Sequence, residues 1–584
     1  MRERADFISE GSRSVRRHWR RWALGMLALV FVATRVAAIF TVSVNWDEFA
    51  LLDGAVRTAE TGVLHSGGRP GLATIALLPW VSGCDDEIQV IRHARLLWLA
   101  ITLAFLAGLG ALLAQLQPDP QRRWGDAALG VALLACVPAF LEWSIQIRSD
   151  QIALAAGVWG GAALLASRTS PRKALVALTA GGLFGLGFLA SQKLIYVAAL
   201  SGLLALGQLG LRREWRPKRE ILRVGLSLVG FGLVFSVYRI AVAHAFSVPE
   251  IHESQQVISS VLLKRNLSVF DFYRQTVGYD QYRSILPSLW AHGLLLTGLI
   301  AASIVSMRRH SRSREALALA WCVLLLGVLV GWFHAGAFFY FWMTLGLFPA
   351  VAFATARVPM QALLPKTTGH VALAGLGVVL ALPALFQLNA MRIDSQSVQR
   401  ESLAFIHRNF AGTEAGFHPE SAPFCRPGPA AISSHFSETI YRRFGGSERQ
   451  ANTEKMIRTF ETEPIRFILQ SFRLNQFPVE LRRFWSEHYQ PYNASVFVAG
   501  RRLEGAAGTT RVFGLIVPGL YRWLPFEGFQ SIRIDDQLVS AGNVVSLAPA
   551  SHTANFVEDG PGGVLVLALQ DPPSLAPQPF YKFY

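Results

Sequence analysis

Apolar windows of about 17 to 22 residues, the length that crosses roughly 30 Å of hydrocarbon, recur along this chain. They fall near 22–42, 93–116, 126–141, 151–167, 174–190, 194–211, 221–241, 287–306, 316–333, 338–356 and 371–388. In a bilayer every backbone polar group must be satisfied within its own segment, so such runs fold as helices. The pattern therefore predicts a polytopic α-helical membrane protein with about eleven transmembrane helices. A composition with 52% hydrophobic and only 16% charged residues over 584 positions fits that class better than a string of soluble domains.

The net charge is +16, but the basic residues stand in short clusters between apolar runs rather than in one patch, so nucleic acid is not expected as a partner. Their sidedness reads as topology. Segments 1–21, 117–125, 167–173, 212–223, 307–314 and 357–370 carry 24 Lys and Arg, whereas the short loops 142–150, 191–193 and 334–337 carry only Arg148 and Lys193. Basic residues favour the cytoplasmic side, which puts the basic N-terminus 1–21 inside and the loops 43–92 and 242–286 outside. The run from Trp22 to about Val42 is too long for a signal-peptide core and is followed by no small-residue cleavage pattern, so it is expected as an uncleaved first span. The expected location is a multi-pass cell (inner) membrane.

Beyond about 389 the composition changes, and an odd number of spans places this C-terminal domain, 389–584, on the extracytoplasmic face. Helix-like QRESLAFIHRNF and strand-like IRFILQ and ASVFVAG predict an α/β lobe over 398–505. From 511 to 584, RVFGLIVPGLYRWL, QSIRIDDQLVSAG, NVVSLAP and GGVLVLAL alternate apolar and polar residues between Gly, Pro and Asp turns, which predicts a β lobe. Of the four cysteines, Cys84 and Cys425 fall on the same outer side while Cys136 and Cys322 lie within spans. In an oxidising compartment the outer two are a candidate disulfide; otherwise they are two small buried thiols. No cysteine spacing suits zinc, no metal site is expected, and His407 and His418 read as scattered surface histidines.

Ionisable groups cluster at the outer rim, where charge is expensive to dehydrate. Asp47 and Glu48 follow the first span directly and open an amphipathic stretch to about Gly62. Arg148 and Asp150 occupy EWSIQIRSDQIAL between the third and fourth spans, and Lys193 sits between two apolar runs in LASQKLIYV. The plain alternatives are ordinary ones: acids favour a helix start, Asp150 caps the fourth span, and Arg148 and Lys193 snorkel. Arg35, inside the first span, is expected to pair with a carboxylate or to snorkel. His334 in GWFHAGAFFYFW fits an aromatic interfacial belt, with substrate contact as the alternative.

The order and sidedness of several segments resemble the GT-C glycosyltransferases, particularly protein O-mannosyltransferases and lipid A aminoarabinose transferases. These are an acidic outer motif (NWDEF), a turn before a short apolar helix (GGRPGLATIALLPW), arginines near the second span (IRHARLLWL) and a Lys ending a later span (GLGFLASQK). The resemblance covers about residues 20 to 390 in layout and departs from the aminoarabinose pattern at GRPG, which leaves the donor sugar and the acceptor open.

It implies a GT-C-like membrane domain over 22–388 and transfer of a sugar from a polyprenyl-phosphate carrier to a glycan, lipid or protein acceptor on the outer face, with inversion. Asp47 would be the general base, Glu48 a helper that orients the acceptor or a bound cation, and Asp150 a further acidic member. Arg148 and Lys193 would hold the carrier phosphate, with Arg69, Arg92 and Arg95 as weaker candidates. The resemblance names no certain cofactor and leaves a divalent cation open. A transporter or flippase of lipid-linked sugar is the first alternative, disfavoured because the charges gather at one face and no repeat is visible. A polysaccharide polymerase or ligase would use the loop 242–286, which holds His252, Arg274 and Arg283.

Overall fold

The computed structural model describes residues 28–66, 70–116, 123–135, 138–192, 217–247, 393–412, 414–418, 422–426, 448–528, 530–574 and 577–581, with a few isolated positions besides. The expected spans from 287 to 388 and the loop 248–286 lie outside these residues, as do Arg69, Lys193, His334, Cys136 and Cys322.

The chain divides into two compact units. One comprises Met1–Thr41, Arg57–Leu78 and Arg92–Ile393; the other comprises Val42–Val56, Pro79–Ile91 and Asp394–Tyr584.

In order, the helices of the first half are α1 (Ala28–Thr41), α2 (Trp46–Thr61), α3 (Leu72–Val81), α4 (Glu87–Leu116), α5 (Arg123–Ala135), α6 (Pro138–Trp143), α7 (Ser149–Ala166), α8 (Lys173–Ala190) and α9 (Pro217–Ala245). Among the described residues, Glu87–Gln115, Lys173–Ala190 and Lys218–Ala245 are long and apolar enough to cross a membrane. The first apolar run does not continue straight into the acidic segment, because α1 and α2 are bent by 73° at the break between them. The window expected at 126–141 is not one helix but two, α5 and α6, with Pro138 opening the second. Proline has no N–H to donate and suits a first helical position.

The core of the first unit forms where α4, α5, α6, α7 and α8 bring Leu109, Leu113, Phe140, Leu154, Val158 and Ala190 together. Helices α8 and α9 approach through glycine. A Cβ on Gly181 would fall 1.7 Å from the Ser227 carbonyl oxygen, and one on Gly230 would fall 2.1 Å from that of Leu178. Small residues permit this contact, and dispersion then works along the whole seam. Ser227 donates to the Ala177 carbonyl at 3.0 Å.

The second unit is built on two sheets. Its helices are α10 (Ser397–Asn409), α11 (Arg449–Thr462) and α12 (Val479–His488), with a 3₁₀ turn over Phe472–Gln476. Its strands are β1 (Gly416–Phe417), β2 (Phe467–Leu469), β3 (Tyr489–Asn493), β4 (Val496–Leu503), β5 (Thr510–Gly514), β6 (Gly519–Pro525), β7 (Ile532–Ile534), β8 (Gln537–Val539), β9 (Val544–Leu547), β10 (Ser551–Phe556) and β11 (Gly563–Leu567). The larger sheet runs β1-β2-β4-β11-β6-β9, with β3 also on β4, and the smaller runs β5-β10-β7-β8.

Strand β4 joins what the sequence divides at 505–511: Val496–Val498 pair with β2, and Gly500–Leu503 pair with β11. Alternate strand residues such as Tyr521 and Trp523 on β6 and Ile532 and Ile534 on β7 are buried, as period-two patterning requires. Around α11 and α12 the core is aromatic, with Phe417 against Trp485 at 5.4 Å and Phe460 against Tyr489 at 5.9 Å between centroids.

Candidate active site

The acidic pair of NWDEF opens α2, and the two carboxylates do different things there. Asn45 stands before the first turn. Its side-chain Oδ1 accepts from the Asp47 N–H at 3.0 Å, and its own N–H donates to Glu48 Oε2 at 2.8 Å. That is the reciprocal pattern by which a cap residue and an acid three positions on satisfy orphan donors at a helix start. Glu48 is fully buried in this role, whereas Asp47 is half-buried on the same turn.

The approach to this turn is held by side chains 350 positions away in sequence. Ser43 N–H donates to Ser395 Oγ at 2.8 Å. Gln399, fully buried on α10, accepts from the Val44 N–H at 2.6 Å and donates to the Val44 carbonyl at 2.9 Å. Phe49 packs 6.3 Å from Phe424 and 5.7 Å from Phe580. The guanidinium of Arg473, on the 3₁₀ turn that Ser471 caps, lies 5.0 Å over the Trp46 ring.

In the same unit, Cys84 and Cys425 form a disulfide with 5.3 Å between their Cα atoms, within the usual range. Glu87, also buried, receives the Cys425 N–H at 3.1 Å and lies 2.8 and 2.9 Å from His407 Nε2. The surface role expected of His407 is thus corrected: a buried carboxylate needs a partner, and His407 is one. Burial lowers the pKa of Arg426, with Glu414 and Glu87 opposing that shift.

In the other unit the short loop expected on the outer side at 142–150 is buried within the protein. Ser144, Gln146, Arg148, Ser149, Asp150 and Gln151 are each less than a tenth exposed. A buried loop must satisfy its backbone, and here side chains do it. Thr102 and Ser144 donate to the carbonyls of Ser144 and Leu141, each at 2.8 Å, and the indole N–H of Trp98 donates to the Arg148 carbonyl at 2.8 Å. Gln151 donates to the Trp143 carbonyl and Arg35 to that of Leu141. Arg35 is therefore neither snorkelled nor, in that bond, on a carboxylate. Arg148 stacks 4.4 Å over Trp143 and lies 4.0 Å from Asp150, which accepts from Ser191 Oγ at 2.8 Å. Arg148 and Asp150 are thus brought together beside Ser191, two residues before Lys193.

Arg92 and Arg95 both belong to α4. Arg92 reaches the Phe40 carbonyl at 3.3 Å and lies 5.3 Å over the Phe40 ring, while Arg95 is fully buried. Among the described residues, no three His, Cys, Asp or Glu side chains gather as a metal site requires. Sequence inspection missed Gln399, Arg473 and Glu87, because a Gln, an Arg and a Glu on polar stretches carry no signal of burial until the chain is folded.

No protein-family model matches the sequence, and no curated protein matches it. Among solved structures, ArnT from Cupriavidus metallidurans bound to undecaprenyl phosphate is similar, with a TM-score of 0.50 at 13% identity over 82% of this chain and 97% of that one. ArnT in the apo state gives 0.49 at 14% identity, with 82% and 97% covered. The apo Archaeoglobus fulgidus oligosaccharyltransferase gives 0.48 at 9% identity, with 96% and 98% covered. The likeness is one of fold alone, shared with ArnT at low identity.

Proposed function

We propose that the chain is a membrane glycosyltransferase that moves a sugar from a polyprenyl-phosphate carrier to an acceptor hydroxyl on the outer face of the membrane, with Asp47 as general base. The observation that carries this is the division of labour at the start of α2. Glu48 is committed to capping the helix, while Asp47, on the same turn, keeps part of its surface accessible. The undecaprenyl phosphate bound by the similarly folded ArnT supports a lipid-phosphate donor.

Asp47 takes the proton of the acceptor hydroxyl as that oxygen attacks the anomeric carbon from the side opposite the carrier. The bond from that carbon to the phosphate oxygen breaks, and its electron pair leaves with the phosphate, so the configuration inverts. A base positioned for the proton and a cation for the departing charge are the two groups such a displacement needs. Arg148 is the proposed phosphate partner: its guanidinium lies over Trp143 beside Asp150, and a planar fork suits phosphate. Lys193 is assigned to the same phosphate, with Arg69, Arg92 and Arg95 as auxiliaries and His334 on the acceptor or sugar. Asp150 orients Arg148 rather than serving as a second base. The acceptor is a glycan, lipid or protein, and the chain crosses the membrane eleven times with residues 1–21 inside and 389–584 outside.

Mass spectrometry of lipid-linked sugars and envelope glycans, with and without the chain, tests the assignment. One polyprenyl-phosphate sugar should accumulate in its absence and one envelope glycan modification should vanish. Unchanged pools of both would overturn it.

A further inference from the structure

Asp47 stands on the first turn of α2, past a break at which the chain bends by 73° from α1. Besides its own cap, this turn is held by residues after 394. Ser395 takes the Ser43 N–H, Gln396 donates to the Val42 carbonyl at 3.3 Å, and Gln399 takes the Val44 N–H while donating to the Val44 carbonyl. The Gln399 carboxamide thus pairs with both backbone groups of one residue, as a neighbouring strand would, and it does so fully buried. A buried amide pays its desolvation only when its bonds are made, so this contact is all-or-none rather than loosely adjustable. Val44 is three residues before Asp47, and Asn45, between them, is the helix cap. Rotation of Val44 would therefore re-aim the Asp47 carboxylate directly.

We propose that Gln399 is a positioning residue: through Val44 and the Asn45 cap it fixes the direction of Asp47, so that residues after 394 aim a base that a distant stretch of the same unit supplies. This rests on the assignment of Asp47 as base. Ser395 acts in the same direction through Ser43. Arg473 adds a third hold, its cation over Trp46 pinning the residue that immediately precedes Asp47. Placement errors of about 1 Å in a reacting group cost on the order of 100-fold in rate, so loosening this turn should be read in turnover before it is read in binding.

The test uses the full chain in nanodiscs. The variants are Gln399→Met, which keeps the volume and removes both bonds, and Ser395→Ala, with Asp47→Asn beside them. Donor is a lipid extract from cells lacking the chain, titrated against radiolabel incorporated into their envelope glycan. Hydrogen exchange of residues 42–50 is followed in parallel, and the Cys84–Cys425 disulfide on non-reducing gels reports that the second unit has folded.

The expected result for Gln399→Met is an intact disulfide, faster exchange over 42–50, a turnover lowered by about 10- to 100-fold and an apparent KM for donor within about twofold of the parent. Ser395→Ala should show the same pattern more weakly. Faster exchange with unchanged turnover, or a loss confined to KM, overturns the positioning role alone. Full turnover by Asp47→Asn overturns the base assignment beneath it, and the two failures are thereby separate.

Discussion

At the scale of single residues, two adjacent acids carry different proposed roles. NWDEF marks a charged pair beside a hydrophobic run, which is enough to flag it. That Glu48 turns back to the Asn45 N–H depends on the helix beginning at Trp46. Glu48→Gln should keep the cap, since a glutamine oxygen accepts the same bond, and should leave turnover nearly intact. Glu48→Ala should lower stability by about 1 kcal/mol or more, as lost caps do. A thermal melt comparing the two checks this, and equal melting points would contradict it. Snorkelling alone does not fit an Arg148 that is 7% exposed with its guanidinium over the Trp143 ring. Arg148→Ala should accordingly raise the apparent KM for the lipid donor several-fold more than that for the acceptor. Steady-state titration of each substrate reads this directly.

At the scale of elements, long apolar runs were placed well by length alone: α4, α7, α8 and α9 overlap the expected windows. The window at 126–141 was not, because mean hydropathy is blind to the break that Pro138 punctuates. Gly181 on α8 and Gly230 on α9 are where two helices touch. Gly181→Val should disrupt this seam, since backbone rather than a movable side chain stands in the way. The expected outcome is a detergent-solubilised protein with a clearly lowered melting temperature, against little change for Gly225→Ala, where the built Cβ meets nothing within 4 Å.

On α12, burial and the nearby positive Arg501 hold the His488 pKa down to about 4. Above the ordinary histidine value both folded and unfolded forms are neutral and the residue contributes nothing to pH dependence. As pH falls from about 6.5 to about 4 the unfolded chain takes the proton first, so stability declines through that window. His488→Gln should flatten this decline, which melts at about pH 7 and about pH 5 would register.

At the scale of the whole molecule, sidedness of charge foretold more than any single motif. It placed Cys84 and Cys425 on one face, and the two are bridged over a separation of 341 residues. What could not be read was the pairing of β4 with β11, since strand partners distant in sequence leave no local trace. Closing so long a loop is worth on the order of 5 kcal/mol in the chain-entropy account. Cys84→Ser should therefore destabilise the chain, and protein made in a reducing compartment should run differently on non-reducing gels. The central claim is tested most directly by purified full-length protein given the polyprenyl-phosphate sugar that accumulates in its absence, with transfer followed for the parent and for Asp47→Asn. The account predicts transfer by the parent with inversion at the anomeric carbon, and loss of turnover by at least about 100-fold in Asp47→Asn with the fold and the disulfide unchanged. Near-parental turnover by Asp47→Asn, or retention of configuration in the product, would contradict it.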